Sequence, residues 1–160
     1  MICMLSVYVI AVGQLREKYF RAAADEYKKR LGNVTEIEIK EEKLPADPSQ
    51  AQIISALDKE SSRILEAIPK RSFVIPMCIE GKQMSSEEFS GVLDRAALAG
   101  KSSVTFIIGS SHGLSEKVKA AADLKLSMSK MTFPHKLARV MLFEAVYRAC
   151  EISSGSKYHK

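Results

Sequence analysis

The chain has 160 residues, 46% of them hydrophobic and 27% charged, with a formal net charge of +5. This is long enough for a full core and too apolar for disorder, so one domain over 1–160 is expected. Mild basicity is compatible with a nucleic-acid partner without requiring one. Cys3, Cys78 and Cys150 lack CxxC spacing and each sits in an apolar run. His112, His135 and His159 share no ligand spacing with them. Free thiols, a reducing cytoplasm and no metal site are therefore expected.

The apolar opening, Met1–Val12, has no basic leader and is too short to span a bilayer. Leu5–Val12 instead predicts a strand buried on both faces, ended by Gly13. Leu15, Tyr19, Ala23, Tyr27 and Leu31 recur every four residues and predict a helix closed by Gly32. In Val34–Glu41, Ile37 and Ile39 alternate with Glu36, Glu38 and Lys40, the pattern of a half-exposed edge strand. After the loop Lys43–Pro48, Asp47 and Pro48 suit the N-cap and first position of a helix. That helix carries Ile53, Leu57, Ile64 and Ile68 and stops at Pro69.

Ser72–Ile79 predicts the third strand, in which Pro76 requires a bulge, an edge or the strand's end. Ser85 and Glu88 form a capping box for a helix carrying Phe89, Val92, Leu93 and Ala96, and Gly100 ends it. Val104–Ile108 is a fourth, buried strand that runs into Gly109–Gly113. Ser115–Ala122 predicts a short helix and Leu124–Ser127 a short fifth strand. Leu137, Val140, Met141, Glu144 and Tyr147 place the last helix over Lys136–Ile152, with Pro134 suiting its start. The βα alternation implies an α/β fold with a parallel, doubly wound sheet of about five strands.

Such sheets bind ligands beyond the carboxyl ends of their strands. Met77–Lys82, Gly109–Gly113 and Met128–Phe133 all fall there, which predicts a small-molecule pocket. Pro134 keeps Leu126–Pro134 from forming a regular helix. There Ser127, Ser129 and Thr132 alternate with Met128 and Met131. Burying such a loop is costly unless its amides and carbonyls find partners, and a ligand is one such partner. Two nucleotide motifs fail. Gly100-Lys101-Ser102 has Arg95 where a P-loop needs glycine and precedes a strand, and only Gly13 follows the first strand where GxGxxG is required. The tail Ser153–Lys160 reads plainly as a frayed end. Its Lys157, Tyr158, His159 and Lys160 nonetheless mix cations with stacking rings, as RNA contacts do.

Met128–His135, followed by Leu137, Arg139, Glu144, Tyr147-Arg148 and the closing Tyr158-His159-Lys160, resembles the ribosomal large-subunit methyltransferase H family. That family is a bacterial branch of the knotted SPOUT methyltransferases. The similarity spans the chain, including Val12-Gly13, Ile79–Lys82 and Ile107–Gly113; one departure is Ser110, where the family usually has a second glycine. The resemblance implies a carboxyl-terminal trefoil knot, a homodimer, S-adenosylmethionine as methyl donor and no metal. Its target would be N3 of a pseudouridine in 23S rRNA within the ribosome. Donor contacts would fall on Met77, Gly109, Met128, Ser129, Lys130, Met131, Thr132 and Phe133. Loss of the N3 proton calls for a cation or a base. Arg139 is the candidate cation and His159 the candidate base, with Tyr158 positioning the target and His135 shaping the knot loop. Val140, Phe143, Val146 and Cys150 give the last helix apolar surface for a partner helix. Two rivals stand beside this reading: a nucleotide-binding α/β enzyme of another kind, such as a nicotinamide-dependent one, and a non-catalytic RNA- or ribosome-binding module.

Overall fold

The computed structural model describes residues 3–157. Four strands, β1 (Ser6–Val12), β2 (Val34–Ile39), β3 (Ser72–Lys82) and β4 (Ser103–Ile108), form one sheet ordered β2-β1-β4-β3. Every pairing is parallel. The helices are α1 (Lys18–Leu31), α2 (Gln50–Ala67), α3 (Ser86–Leu98), α4 (Glu116–Ala120) and α5 (His135–Ser153).

The period-2 alternation of each strand divides its apolar side chains between two cores. Val7, Val9, Ala11, Val104, Phe106 and Ile108 pack with residues of α1, α3 and α5. Ile10, Val12, Val74 and Ile107 face Ile64 of α2 and Val118 of α4. Central β4 is buried at all six positions, whereas edge strand β2 is only partly covered and buries Ile39 alone.

The predicted fifth strand does not form. Leu126 makes only isolated bridges to Met77 and Lys82. The reason lies at the open edge of β3. Pro76, which has no N–H, is the last residue of β3 paired with β4. Along that edge the Val74 amide donates to the Asp123 carboxylate at 2.8 Å, and the Asp123 amide donates back to the Val74 carbonyl at 2.9 Å. A side chain thus takes the place of a ladder partner, and the segment closes the edge without becoming a strand. Farther along, a Cβ at Gly81 would lie 2.7 Å from the Ser127 nitrogen, so only glycine lets the two backbones approach this closely.

Two helix starts also differ from expectation. The N-cap of α2 is Ser49, not Asp47. Its Oγ accepts from the Gln52 amide at 3.2 Å, and the Gln52 side chain accepts from the Ser49 amide at 2.8 Å. Reciprocal satisfaction of two amides outweighs the single cap available to Asp47. Helix α1 begins at Lys18, because Leu15 is held in the preceding loop, its amide donating to Glu38 Oε2 at 3.2 Å. The capping box at Ser85 and Glu88 forms as expected.

The residues assigned to a partner helix need a correction too. Phe143, Val146 and Cys150 are buried in this chain's own core. The open side of α5 instead carries Val140, Met141 and Ala145, which with Tyr27, Met84 and Phe89 line a groove of about 380 Å³.

Candidate active site

A cavity of about 680 Å³ opens at the carboxyl ends of β3 and β4. Its wall comes from Met77–Glu80 of β3, Ile108–Leu114 at and after the end of β4, Lys119 of α4, Leu126–Ser129, Met131–His135 and Ala138 in the first turn of α5. The volume falls in the range of sites that enclose drug-sized ligands.

Each wall has a local cause. Gly109 is required by the loop itself, since a Cβ there would sit on the Gly113 carbonyl, 2.6 Å from its carbon. Gly113, at φ +81°, supplies the left-handed residue that lets the loop turn back. Ser110 braces this turn: its carbonyl accepts from the Gly113 amide at 2.9 Å and its Oγ from the His112 amide at 3.3 Å. The departure from a second glycine therefore adds a hydrogen-bonding side chain to the turn.

The stretch 126–134 is pinned at its beginning to β3. The Lys82 amide donates to Lys125 and the Ser127 amide to the Lys82 carbonyl, at 2.9 and 3.0 Å. Ser127 Oγ donates to the Ser129 carbonyl at 3.1 Å, and Ser129 Oγ accepts from the Met131 amide at 3.0 Å. No such bond engages the amides of Met128, Thr132 or Phe133 among the described residues. These three residues line the cavity. Met128 and Phe133 are half-buried and Thr132 is exposed, so these amides, without an internal partner, are open to a bound ligand.

Of the residues expected to contact a donor, Met77, Gly109, Met128, Ser129, Met131, Thr132 and Phe133 come together on this wall. Lys130 does not; it is exposed and stands outside the lining. His135, the first residue of α5, does line the cavity. Burial pushes its pKa below 6.5, only partly offset by the Glu41 carboxylate, so the ring is neutral at pH 7.

Arg139 lies one turn farther along α5, buried and outside the cavity lining. Its guanidinium donates to Glu36 Oε1, Glu38 Oε2 and the Gly13 carbonyl, each at 3.0 Å. Arg21 and Lys28 of α1 meet the other Glu36 oxygen at 2.7 and 2.8 Å. Burial alone would raise the Glu36 pKa, but the three cations outweigh it and hold it at about 2. The structure thus makes Arg139 a tie between α5 and the ends of β1 and β2. Tyr158 and His159 lie outside the described residues.

Lys119 of α4 also lines the cavity, paired with Glu80 at 2.7 Å. The sequence carries no clear mark of it, because a lysine in a short charged helix reads as solvated. Among the described residues no group of His, Cys, Asp and Glu could hold a metal ion, and no helix is long and apolar enough to cross a membrane.

A parallel α/β sheet with one strand-end cavity is shared by many enzymes, and comparison with known proteins narrows the class. The family model described as "Predicted SPOUT methyltransferase" matches residues 5–159. Solved structures agree at the level of fold. A probable methyltransferase from Bordetella pertussis Tohama I superposes with a TM-score of 0.61 at 15% identity, over 92% of this chain and 95% of that one. A probable methylase family protein from Haemophilus influenzae Rd KW20 gives 0.56 at 12% identity, over 98% and 71%.

Curated relatives are much nearer in sequence. A Clostridium botulinum protein named Ribosomal RNA large subunit methyltransferase H is 47% identical over 98% of this chain and 100% of its own length. One of the same name from Streptococcus thermophilus is 48% identical over the same shares. A Methanococcus maripaludis protein at 43%, again over the same shares, is named as a putative member. The chain belongs to the ribosomal RNA large subunit methyltransferase H family of the SPOUT class.

Proposed function

We propose that this protein is an S-adenosylmethionine-dependent rRNA methyltransferase acting on N3 of a pseudouridine in 23S rRNA. In this reading it works in the cytoplasm as a homodimer on the large subunit within assembled ribosomes. The carrying observation is the convergence of Met77, Gly109 and Met128–Phe133 on one cavity, in a chain similar end to end to proteins bearing that name.

The residues present fit such a donor. Thioether and aliphatic side chains suit an adenosyl group, and the free amides of Met128, Thr132 and Phe133 would hold its polar edge. When bound, the donor supplies an electrophilic methyl group on a sulfonium. The chain's own contribution is to align the target nitrogen, exclude water and receive the N3 proton. His135 is neutral and at the cavity, hence able to accept a proton. Arg139 acts at one remove, holding the first turns of α5, and with them His135, in place. Tyr158 and His159 would complete the site from the partner's tail, Tyr158 positioning the base and His159 assisting proton loss. The apolar groove beside α5 supports a twofold contact there. A trefoil knot built around 126–134 belongs to the same reading, and the close approach of that stretch to Gly81 supports it.

Mass mapping of rRNA from a strain lacking the gene tests the reaction. One pseudouridine should lose its methyl group and regain it with the wild-type gene, whereas unchanged rRNA would refute the assignment. Deleting Ser156–Lys160 should leave the fold intact and lower methyl transfer to ribosomes roughly a hundredfold or more, the usual scale of lost acid–base and positioning help. A truncated enzyme with the wild-type rate would remove the tail from the mechanism.

A further inference from the structure

Among the described residues, Glu80 and Lys119 are the only Asp, Glu, Lys or Arg on the wall of the 680 Å³ cavity, and they are paired at 2.7 Å. The rest of the wall is apolar or neutral: Met77, Ile79, Leu126, Met128 and Phe133 contribute hydrocarbon and thioether. The pair's placement is fixed by the fold on both sides. Strand β3 runs on beyond Pro76, where its pairing with β4 ends, and so brings Glu80 to the cavity. Helix α4 is capped by Ser115 and anchored by fully buried Val118, which sets the position of its neighbour Lys119.

Stability does not account for this pair. The Glu80 side chain is 47% exposed, and exposed ion pairs contribute little to folding. Each group nonetheless keeps its charge at neutral pH. The bond from Lys119 pulls the Glu80 carboxyl down, and the same bond raises the Lys119 ammonium. Lys119 also has a second carboxylate, the highly exposed Glu116, at 3.6 Å. It can therefore admit another anion without being left as a lone charge.

A wall with one lysine and one glutamate, set among apolar side chains, hydroxyls and two imidazoles, is complementary to a ligand with a largely apolar body and a zwitterionic end. The donor proposed above has that form: an adenosyl group joined to an α-amino acid. We propose that Glu80 and Lys119 form the subsite for the amino-acid end of the donor, Lys119 pairing with its carboxylate and Glu80 with its α-ammonium. The inference rests on reading the cavity as the donor site and adds which residues recognise the end away from the adenine. Because the pair is neutral overall, it reads the zwitterion and ignores the sulfonium, so donor and demethylated product are held alike at this end.

The test compares two ligands by calorimetry on the full chain: S-adenosylhomocysteine, which carries the zwitterion, and methylthioadenosine, which replaces it with a methyl group. Wild type should prefer S-adenosylhomocysteine by roughly ten- to a hundredfold, the range for charge-assisted hydrogen bonds. Lys119→Met and Glu80→Gln should each cut that preference about tenfold, while methylthioadenosine affinity stays within about twofold. The exchanged double variant, Glu80→Lys with Lys119→Glu, keeps an ion pair but reverses its polarity. It should lose the preference too, a result that a purely structural pair would not give. A preference unchanged in both single variants overturns the subsite while leaving the cavity assignment standing. Wild-type protein that binds neither ligand overturns both.

Discussion

The carboxyl edge of the sheet is built in two opposite ways. On the β1–β2 side it is charged and closed: Arg139 binds the Gly13 carbonyl just past the end of β1 and, with Arg21 and Lys28, surrounds Glu36 within β2, whose side chain is only 4% exposed. At the ends of β3 and β4 it is mostly apolar and open, with a cavity of about 680 Å³ and three amides that no described residue satisfies. Helix α5 spans both halves, His135 facing the cavity and Arg139 the charge network one turn later. The contrast shows a division of labour along one edge. On the closed side most of the charged groups are paired, Arg139 Nε being the exception, and they fix the helix; on the open side three backbone amides without an internal partner face a cavity.

Removing the pairing on the closed side should have the largest effect. Arg139→Ala leaves buried Glu36 and its neighbour Glu38 each with one partner fewer and removes the bond to the Gly13 carbonyl. Breaking a buried ion pair from one side costs about 3–5 kcal/mol. Urea denaturation should show a loss of that size; a loss near 1 kcal/mol would mean that the network is solvated and does not anchor α5.

The same network predicts an acid response. Glu36 has a folded pKa of about 2 against an ordinary 4.5. A carboxylate with a depressed pKa contributes stability that is fully present above the unfolded value and is lost as pH falls through the folded one. Wild type should therefore lose on the order of 3 kcal/mol between about pH 4.5 and pH 2 through this group. Glu36→Gln should be less stable at pH 7 but flatter across that window, as measured by thermal unfolding at stepped pH. Parallel curves for the two proteins would contradict the assignment.

The open half was more legible in the sequence than the closed half. Strand-end reasoning selects Met77–Lys82, Gly109–Gly113 and Met128–Phe133 because apolar runs, glycines and a proline mark where strands stop, and those marks are local. The charge network is not local. Glu36 and Glu38 alternate with Ile37 and Ile39, and alternation identifies a shared face without saying what covers it. That face reads as solvent-facing, yet α1 and α5 lie over it, and Arg139 comes from 103 residues away. The fifth strand failed for a related reason. Its composition suits a strand, but whether the edge of β3 takes a ladder or a side-chain clasp depends on Asp123 reaching Val74. The start of α2 is local and legible, since Ser49 and Gln52 form a capping box one step beyond the Asp-Pro pair.

The last prediction sharpens the contrast from the open side, where a change should cost less stability and more binding. Gly109→Ala puts a methyl group against the Gly113 carbonyl, 2.6 Å from its carbon, so the turn 109–113 must shift. The neighbours in the way are mainly backbone, with Leu114 Cδ2 at 3.1 Å, and cannot yield by a rotamer change alone. Overpacking of this kind costs about 1–3 kcal/mol, less than the loss expected at Arg139. The displaced turn forms one wall of the cavity, so binding of S-adenosylhomocysteine should weaken by at least about tenfold, equivalent to roughly 1.4 kcal/mol. Arg139→Ala acts from the other side: under conditions where it stays folded, its binding defect should be small relative to its stability defect. Calorimetry and denaturation on both variants give four values, and the two ratios of binding loss to stability loss should differ in the stated sense. Equal ratios would mean that the two halves of the edge are mechanically one unit, and the division of labour between them would not hold.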